Sequence, residues 1–478
     1  MTRVDRIHLL HTNDLHSHLD QTSKMAPLIE ELRAQWQARN ERSLLLDIGD
    51  HMDRVRMETE GTDGRVNGTI LERMGYDFVT LGNNELLTFS QDQLAAVYRD
   101  APYQVLSSNV YEVKRTGQPA WIRPCSHVTL GSVRIGMLAA TIPYQTVYEL
   151  MGWDVRDPVS TLAEHVRRLR GEVDLIVVLS HLGLMNDRML AKEVPGIDLI
   201  IGAHTHHLLE ELERVGETWL AGAGKHGQHL GHIEIEVDID AGRVRTIRGR
   251  VYPLAGRAEE REMQELIAHY RGEALENMAQ PIHQLSRPLE VDWYGESSLP
   301  NLLADALCDW VGAEAALVNN GQLLAEIPAG SVTRQQLHAV CPHPINPVLM
   351  TIEGKEIRRT LEEALLDEFV TLPIRGFGFR GEVLGTVSVS GMEVFYDPEA
   401  PPFQRIKEIR INGSRLEEEQ LVRLATIDMF TFGIGYMGLK EGKVQKYYLP
   451  EFLRDLLAKQ LQAPAALARC EVKRWHRI

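Results

Sequence analysis

Six short runs of leucine and β-branched residues punctuate the first half of the chain: Ile7–Leu10, Leu44–Ile48, Phe78–Leu81, Val133–Ala139, Leu175–Leu179 and Leu199–Ile201. Apolar runs of this length, with no polar alternation, are expected of strands covered on both faces. Between them lie segments with helical spacing, such as Pro27–Arg39, where Leu28, Leu32 and Trp36 recur at four-residue steps, and Val159–Arg170. Strands alternating with helices predict an α/β layered domain. The pattern changes after Pro253. Ala258–Met278 has no proline, a single glycine and many Glu, Gln, Ala and Arg, which predicts a largely solvated connecting helix. Beyond Pro281 helical segments near Leu299–Val311 and Lys355–Glu368 mix with strand-like runs, including Val387–Tyr396, and predict a smaller α+β domain. The expected division is 1–255, a linker helix over 256–280, and 281–478.

Length agrees with two domains, since 478 residues exceed what one core usually supports. The 67 acidic against 51 basic residues leave a charge of −16, which argues against a nucleic-acid polymer as partner, because phosphate backbones are held mainly by Lys and Arg. A small phosphorylated substrate would need a cation of its own. No run approaches the roughly 18 apolar residues of a membrane span, and Met1–Asp14 lacks the apolar stretch of a secretory signal, so a cytoplasmic protein without membrane contact is expected. The four cysteines, Cys125, Cys308, Cys341 and Cys470, have no metal-type or disulfide-type spacing.

The informative polar residues each fall just past a predicted strand. Ile7–Leu10 runs into Asp14-Leu-His16, Leu44–Ile48 into Gly49-Asp50, Phe78–Leu81 into Gly82-Asn83, Leu175–Leu179 into Ser180-His181, and Leu199–Ile201 into Gly202-Ala-His204-Thr-His206. Ligands of α/β sheets bind outside the carboxyl ends of the strands, so five loops are predicted to converge there. Three carboxylate or amide side chains and four imidazoles suffice for two divalent ions, and a donor set without thiolate suits Mn²⁺, Zn²⁺ or Fe. Such a pair would yield a two-metal-activated hydroxide and neutralise phosphoryl charge.

These segments, with Gly82-Asn83-Asn84-Glu85 among them, resemble the calcineurin-like metallophosphoesterases, and specifically the 5′-nucleotidase family, over nearly the whole chain. The resemblance implies a four-layered α/β/β/α catalytic domain, a connecting helix, and a C-terminal domain that grips a nucleotide. It implies that Asp14, His16 and His206 hold one metal, that Asn83, His181 and His204 hold the other, and that Asp50 bridges. Glu296–Ala306 and Leu317-Val-Asn-Asn320-Gly are similar to the family's second domain.

The chain departs from the family where proton transfer is concerned. Its G-N-H-E-x-D motif supplies a His and an Asp at the scissile phosphate; here Asn84 and Leu87 stand there. Asn84 can donate a hydrogen bond but carries no transferable proton. His51, Arg54 and His207 are the candidates to replace the dyad. In the C-terminal domain the family's N-G-G-G-I-R reads Asn319-Asn-Gly-Gln-Leu-Leu324, and its two base-stacking aromatics align with Thr386 and Met429. Asn319, Phe377, Phe379, Arg380 and Phe430 are the remaining candidates for substrate contact, against a competing reading in which the aromatics are core and the glycines a turn. The expected function is hydrolysis of phosphate esters or anhydrides, with a bias toward anhydrides, such as nucleoside di- or triphosphates and nucleotide-sugars, or toward diesters with acidic leaving groups. The alternative is a catalytically impaired metal- and nucleotide-binding protein with a regulatory role.

Overall fold

A computed structural model describes residues 4–114, 117–238, 243–376 and 378–478. The chain forms two compact units, Met1–Ala274 and Leu275–Ile478. In the first, a seven-stranded and a six-stranded sheet face one another across a shared core that includes Ile7, Leu9, Leu46, Ile135, Val177 and Ile201. Helices cover the outer faces: Leu162, Val166 and Leu190 pack on the side of Leu138, Ile176 and Ile200 turned away from the other sheet. Strands packed on both sides have no reason to alternate, which explains the continuous apolar runs. The result is the expected α/β/β/α layering.

The six predicted strands are all present, most of them longer than the apolar runs that announced them. Val4–Thr12 lies parallel to Arg42–Asp47, and that strand parallel to Phe78–Thr80. Leu175–His181 runs parallel to both Val133–Thr141 and Leu199–Gly202 in the second sheet. The first long helix, Thr22–Ala38, starts before Pro27 rather than at it. Proline inside a helix frees the carbonyl four residues earlier, and here the Ser23 carbonyl accepts from the Glu260 N–H at 2.7 Å, so the freed acceptor is satisfied. The connecting helix Arg261–Met278 is less solvated than its composition suggests. Met263 and Ala274 are fully buried, Tyr270 reaches the Thr69 hydroxyl at 2.8 Å, and the boundary between the units falls inside this helix, after Ala274.

The second unit is built on a five-stranded sheet that includes Val387–Ser390, Ala315–Asn319, Leu421–Ile427 and Pro347–Glu353, beside a four-stranded sheet that includes Ile406–Ile411 and Met392–Tyr396. The single run expected over Val387–Tyr396 is therefore two strands in two sheets. Gly391, at φ +69°, makes the turn between them, a backbone region that favours glycine. The helix Ser298–Val311 is apolar nearly all round, with Leu299, Leu302, Leu303 and Leu307 in the core.

Each unit buries a neutral histidine. His343 uses both ring nitrogens: Nε2–H donates to the Gln322 carbonyl and Nδ1 accepts from the Arg380 N–H, each at 2.8 Å. Burial pushes its pKa down to about 3. Burial, with His8 beside it, does the same to His232. For a group whose pKa is lowered by folding, the unfolded chain takes up a proton first, so the contribution is complete above about pH 6.5 and is lost as the pH falls from there toward 3. Over pH 7 to 5, unfolding free energy measured in urea is expected to fall less, or rise more, in His343→Gln than in wild type, the difference approaching about 1.4 kcal/mol per pH unit. Equal slopes would contradict this.

Candidate metal centre

The three parallel strands Val4–Thr12, Arg42–Asp47 and Phe78–Thr80 end at one edge, and Leu175–His181 and Leu199–Gly202 end beside them. The loops beyond are tied together by backbone hydrogen bonds: Asp14 N–H donates to Gly49 O at 3.2 Å, His16 N–H to Asp50 O at 2.8 Å, and Ala203 N–H to Ser180 O at 2.9 Å. Two side chains link the sheets, with His181 Nδ1 2.8 Å from Ile48 O and the Asp14 carboxylate accepting from His204 N–H at 3.0 Å. Asp14, His16, Asp50, His204 and His206 all have positive φ, between 47° and 72°. Non-glycine residues in that region cost on the order of 1–3 kcal/mol each, and such strain concentrates where geometry is held for function.

The seven predicted donors gather in one region: five approach one another directly, and His204, paired with Asn83, has its ring centre 5.3 Å from that of His181. His16 Nε2 is 3.2 Å from His206 Nε2, and His206 Nε2 is 3.7 Å from Asp14 Oδ1. His181 Nε2 lies 3.4 Å from Asp50 Oδ2 and 4.0 Å from Asp14 Oδ1. His204 Nδ1 is 2.8 Å from Asn83 Oδ1. Asp50 Oδ2 stands between the groups, 3.8 Å from His16 Nε2 and 3.4 Å from His181 Nε2. Two sets, Asp14 with His16 and His206, and Asp14 with Asp50 and His181, have ligand atoms mutually within 4.8 Å. His181 Nε2 is buried and has no hydrogen-bond partner. Converging lone pairs with a buried nitrogen left over are what a cation would satisfy, so the donor set fits divalent ions.

The electrostatics agree. Burial raises Asp14 to about 6, with Asp50 adding to the effect and His181 opposing it. Asp50 resists the same burial because the charge of His181 holds it below the usual carboxylate range. His181 is the counterpart: burial lowers it, but Asp50 and Asp14 carry it up to about 10. His204 and His206 go down to about 4 and about 3, first by burial and then by the neighbouring His181 and His16 respectively. Without metal, a proton on His181 balances the carboxylates, and an ion binding there would displace it.

Three supporting residues are not among the predicted site residues. Glu85 accepts from the backbone N–H of Asp50 at 3.0 Å, Met52 at 2.8 Å and Gly82 at 2.8 Å, so a single carboxylate shapes the turn that carries Asp50. Asp53 faces His16 Nδ1 at 3.3 Å, and the Tyr144 hydroxyl faces His204 Nε2 at 3.1 Å. Glu85 and Asp53 lie within the quoted motifs or three residues beyond them, so proximity was a usable signal; for Tyr144 there was none. Glu85→Ala would strand three buried N–H donors and is expected to destabilise the protein by about 3 kcal/mol or more, measurable by chemical denaturation. An effect below about 1 kcal/mol would show that water replaces the carboxylate.

Known families share this arrangement. The calcineurin-like phosphoesterase model matches residues 7–208 and the C-terminal domain model of 5′-nucleotidases matches residues 276–441. An uncharacterized metallophosphoesterase of Bacillus subtilis is 38% identical across 96% of this chain and 99% of its own length. The chain belongs to the calcineurin-like metallophosphoesterases. Its two domains are those of the 5′-nucleotidase branch, a hydrolase family. A snake venom 5′-nucleotidase of Gloydius brevicauda is 25% identical over 93% of the chain and 80% of its own length. The fold matches that of a 5′-nucleotidase precursor from Thermus thermophilus, with a TM-score of 0.60, 23% identity and 99% of both chains covered.

Asn84 and Leu87, the residues that the resemblance aligns with the dyad, sit one turn apart on the helix Asn83–Thr88. The Asn84 backbone N–H donates to Asp50 Oδ1 at 2.8 Å, and its side-chain amide lies 2.8 Å from His16 Nδ1. Arg54 directs its guanidinium to Glu60 at 2.6 Å and to the Thr88 carbonyl at 2.8 Å. His51 is buried, with Nδ1 against the Asn67 amide, while His207 is exposed and meets the Thr205 hydroxyl.

The C-terminal candidates fare differently. Asn319 is fully buried, donating to the Leu384 carbonyl at 2.6 Å and accepting from Gln322. Phe379 stacks on His343 with ring centres 5.2 Å apart, and Phe430 packs against Tyr436 in the core. These two rings are covered by their own domain, so the sequence-based expectation that they face a ligand is corrected: their apolar surface completes the core. Thr386 and Met429 are buried as well. Arg380 is partly exposed, with Nη1 donating to the Phe379 carbonyl at 3.2 Å. Phe377 lies outside the described residues.

Proposed function

We propose that this metallophosphoesterase hydrolyses nucleotide anhydrides, such as nucleoside diphosphates and nucleotide-sugars, in preference to nucleoside monophosphates. The observation that carries the reading is the pair Asn84 and Leu87 at the dyad positions, with the Asn84 amide held on His16. Asp14, His16 and His206 would hold one ion, Asn83, His181 and His204 the other, and Asp50 lies between them. Two divalent ions bound there would supply Lewis acidity for the phosphoryl oxygens and acidify water. The protein's own groups do the rest. His181 is oriented by the Ile48 carbonyl, and the Asp14 carboxylate is fixed by the His204 N–H. No group at positions 84 or 87 delivers a proton to the leaving oxygen, so leaving groups that depart as stable anions are favoured.

The donor set favours Mn²⁺, Zn²⁺ or Fe. The net charge of −16 supports a small substrate rather than a nucleic-acid polymer. Among the described residues no helix is long and apolar enough to cross a membrane. Four free thiols support a reducing, cytoplasmic setting.

The test is a kinetic panel on the Mn²⁺-loaded protein. It would compare AMP with ADP, a nucleotide-sugar and an activated aryl phosphodiester. The kcat/KM on anhydrides is expected to exceed that on AMP by about 10²-fold or more. Equal rates on AMP would refute the preference. Full metal content with no turnover on any substrate would favour the second reading, a regulatory metal- and nucleotide-binding protein, which the same two positions motivate.

A further inference from the structure

In three of the four proposed histidine ligands, His181, His16 and His204, the ring nitrogens that face away from the donor cluster show a pattern. A histidine that ligates through one nitrogen must carry its proton on the other, and that N–H needs an acceptor to fix the tautomer and the ring plane. His181 turns Nδ1 to the Ile48 carbonyl at 2.8 Å. His16 turns Nδ1 to the Asp53 carboxylate at 3.3 Å, with the Asn84 side-chain amide also 2.8 Å from that nitrogen. His204 presents Nδ1 to the cluster, beside Asn83 Oδ1, so its outward nitrogen is Nε2, and 3.1 Å from Nε2 is the hydroxyl of Tyr144.

We propose that Tyr144 is the positioning residue of His204, its phenolic oxygen accepting from Nε2–H so that Nδ1 remains bare toward an ion shared with Asn83. The proposal rests on the metal-centre reading above. A hydroxyl suits this place because it both donates and accepts. Before an ion binds, Nδ1–H can donate to Asn83 Oδ1 while the phenol donates to Nε2. Once the proton is on Nε2, the phenol only has to rotate its own hydrogen away to become the acceptor.

The backbone delivers Tyr144 to this place. Tyr144 follows the strand Val133–Thr141 and immediately precedes the helix Gln145–Leu150. Ile142 N–H donates to the His181 carbonyl at 3.0 Å, so the loop is anchored to the strand that carries another proposed ligand. The ring also stacks on Tyr148, with centres 6.1 Å apart. Tyr144 is 41% exposed, so its replacement by phenylalanine should be tolerated by the fold.

The experiment is calorimetric titration of Mn²⁺ into metal-free wild type and Tyr144→Phe, together with ¹⁵N-histidine spectra of the Zn²⁺-loaded proteins, the His204 signal being assigned by its loss in His204→Gln. In Tyr144→Phe one of the two ions is expected to bind about 10-fold more weakly or worse, the other unchanged, and the His204 Nε2–H to exchange faster with water. The melting temperature of the metal-free variant should match wild type. Unchanged affinity for both ions overturns the proposal, as does equal weakening of both, which would mark a general structural effect. Failure of wild type itself to bind two ions would instead defeat the metal-centre reading and this inference with it.

Discussion

Asp50→Ala is expected to lose at least about 10³-fold in kcat on every substrate the wild type turns over and to retain fewer than two ions. The reason is its position. One carboxylate oxygen lies 3.4 Å from His181 Nε2 and 3.8 Å from His16 Nε2, while the other accepts the Asn84 N–H at 2.8 Å. Its removal affects both donor groups and loosens the turn that presents Asn83. A second effect separates this from an ordinary loss of a ligand. In the metal-free protein Asp50 is a principal counter-charge of the buried His181, which it helps to raise to about 10 against the effect of burial. A buried ion pair cut on one side typically costs about 3–5 kcal/mol. The metal-free variant should therefore be less stable than metal-free wild type, and added Mn²⁺ should raise its melting temperature less. Elemental analysis, kinetics and denaturation measure the three effects separately. Activity within tenfold of wild type would place the chemistry elsewhere in the molecule.

The donors were legible because each lies at the end of an apolar strand, and strand ends in an α/β sheet have only one common crevice to point into. D-x-H, G-D, G-N, S-H and G-x-H-x-H could thus be assembled without coordinates. The supporting residues could not. Tyr144 is an ordinary tyrosine in a loop until the strand beside it brings its hydroxyl to His204, a relation between residues 60 positions apart. Glu85 was visible within its motif, yet its three bonds go to backbone N–H groups, which have no sequence signature. In the C-terminal domain the signals themselves were ambiguous. An aromatic and glycine-rich stretch around Phe379 reads equally as a stacking loop and as a turn that seals a core, and contact with His343 decides for the second. The strand-like pattern of Val387–Tyr396 hid a change of sheet at Gly391, because apolar residues alternate before it, at Val387 and Val389, as they do after it, at Met392 and Val394. Pro27 marked a helix start that tertiary structure moved, since the Glu260 N–H satisfies the carbonyl that proline frees.

Rebuilding the dyad tests the proposed preference in the opposite direction. Asn84 and Leu87 are three residues apart on the helix Asn83–Thr88, and residues at that spacing face the same way, so Asn84→His with Leu87→Asp would place an imidazole next to a carboxylate. Neither side chain is fully buried, which leaves room for polar replacements. The substitution removes the amide from His16 Nδ1, but Asp53 remains 3.3 Å from that nitrogen, so His16 keeps an outer partner. A restored proton donor helps only where the leaving oxygen is a poor leaving group. On AMP the double variant is expected to gain about 10²-fold in kcat, the lower end of what a positioned general acid contributes, with KM little changed. On ADP or a nucleotide-sugar, whose phosphate leaving group needs no proton, kcat should move by less than about threefold. A parallel rise on both substrate classes would mean that the new histidine acts through general electrostatics. No rise on AMP in a folded, fully metallated variant would mean that positions 84 and 87 do not set the preference.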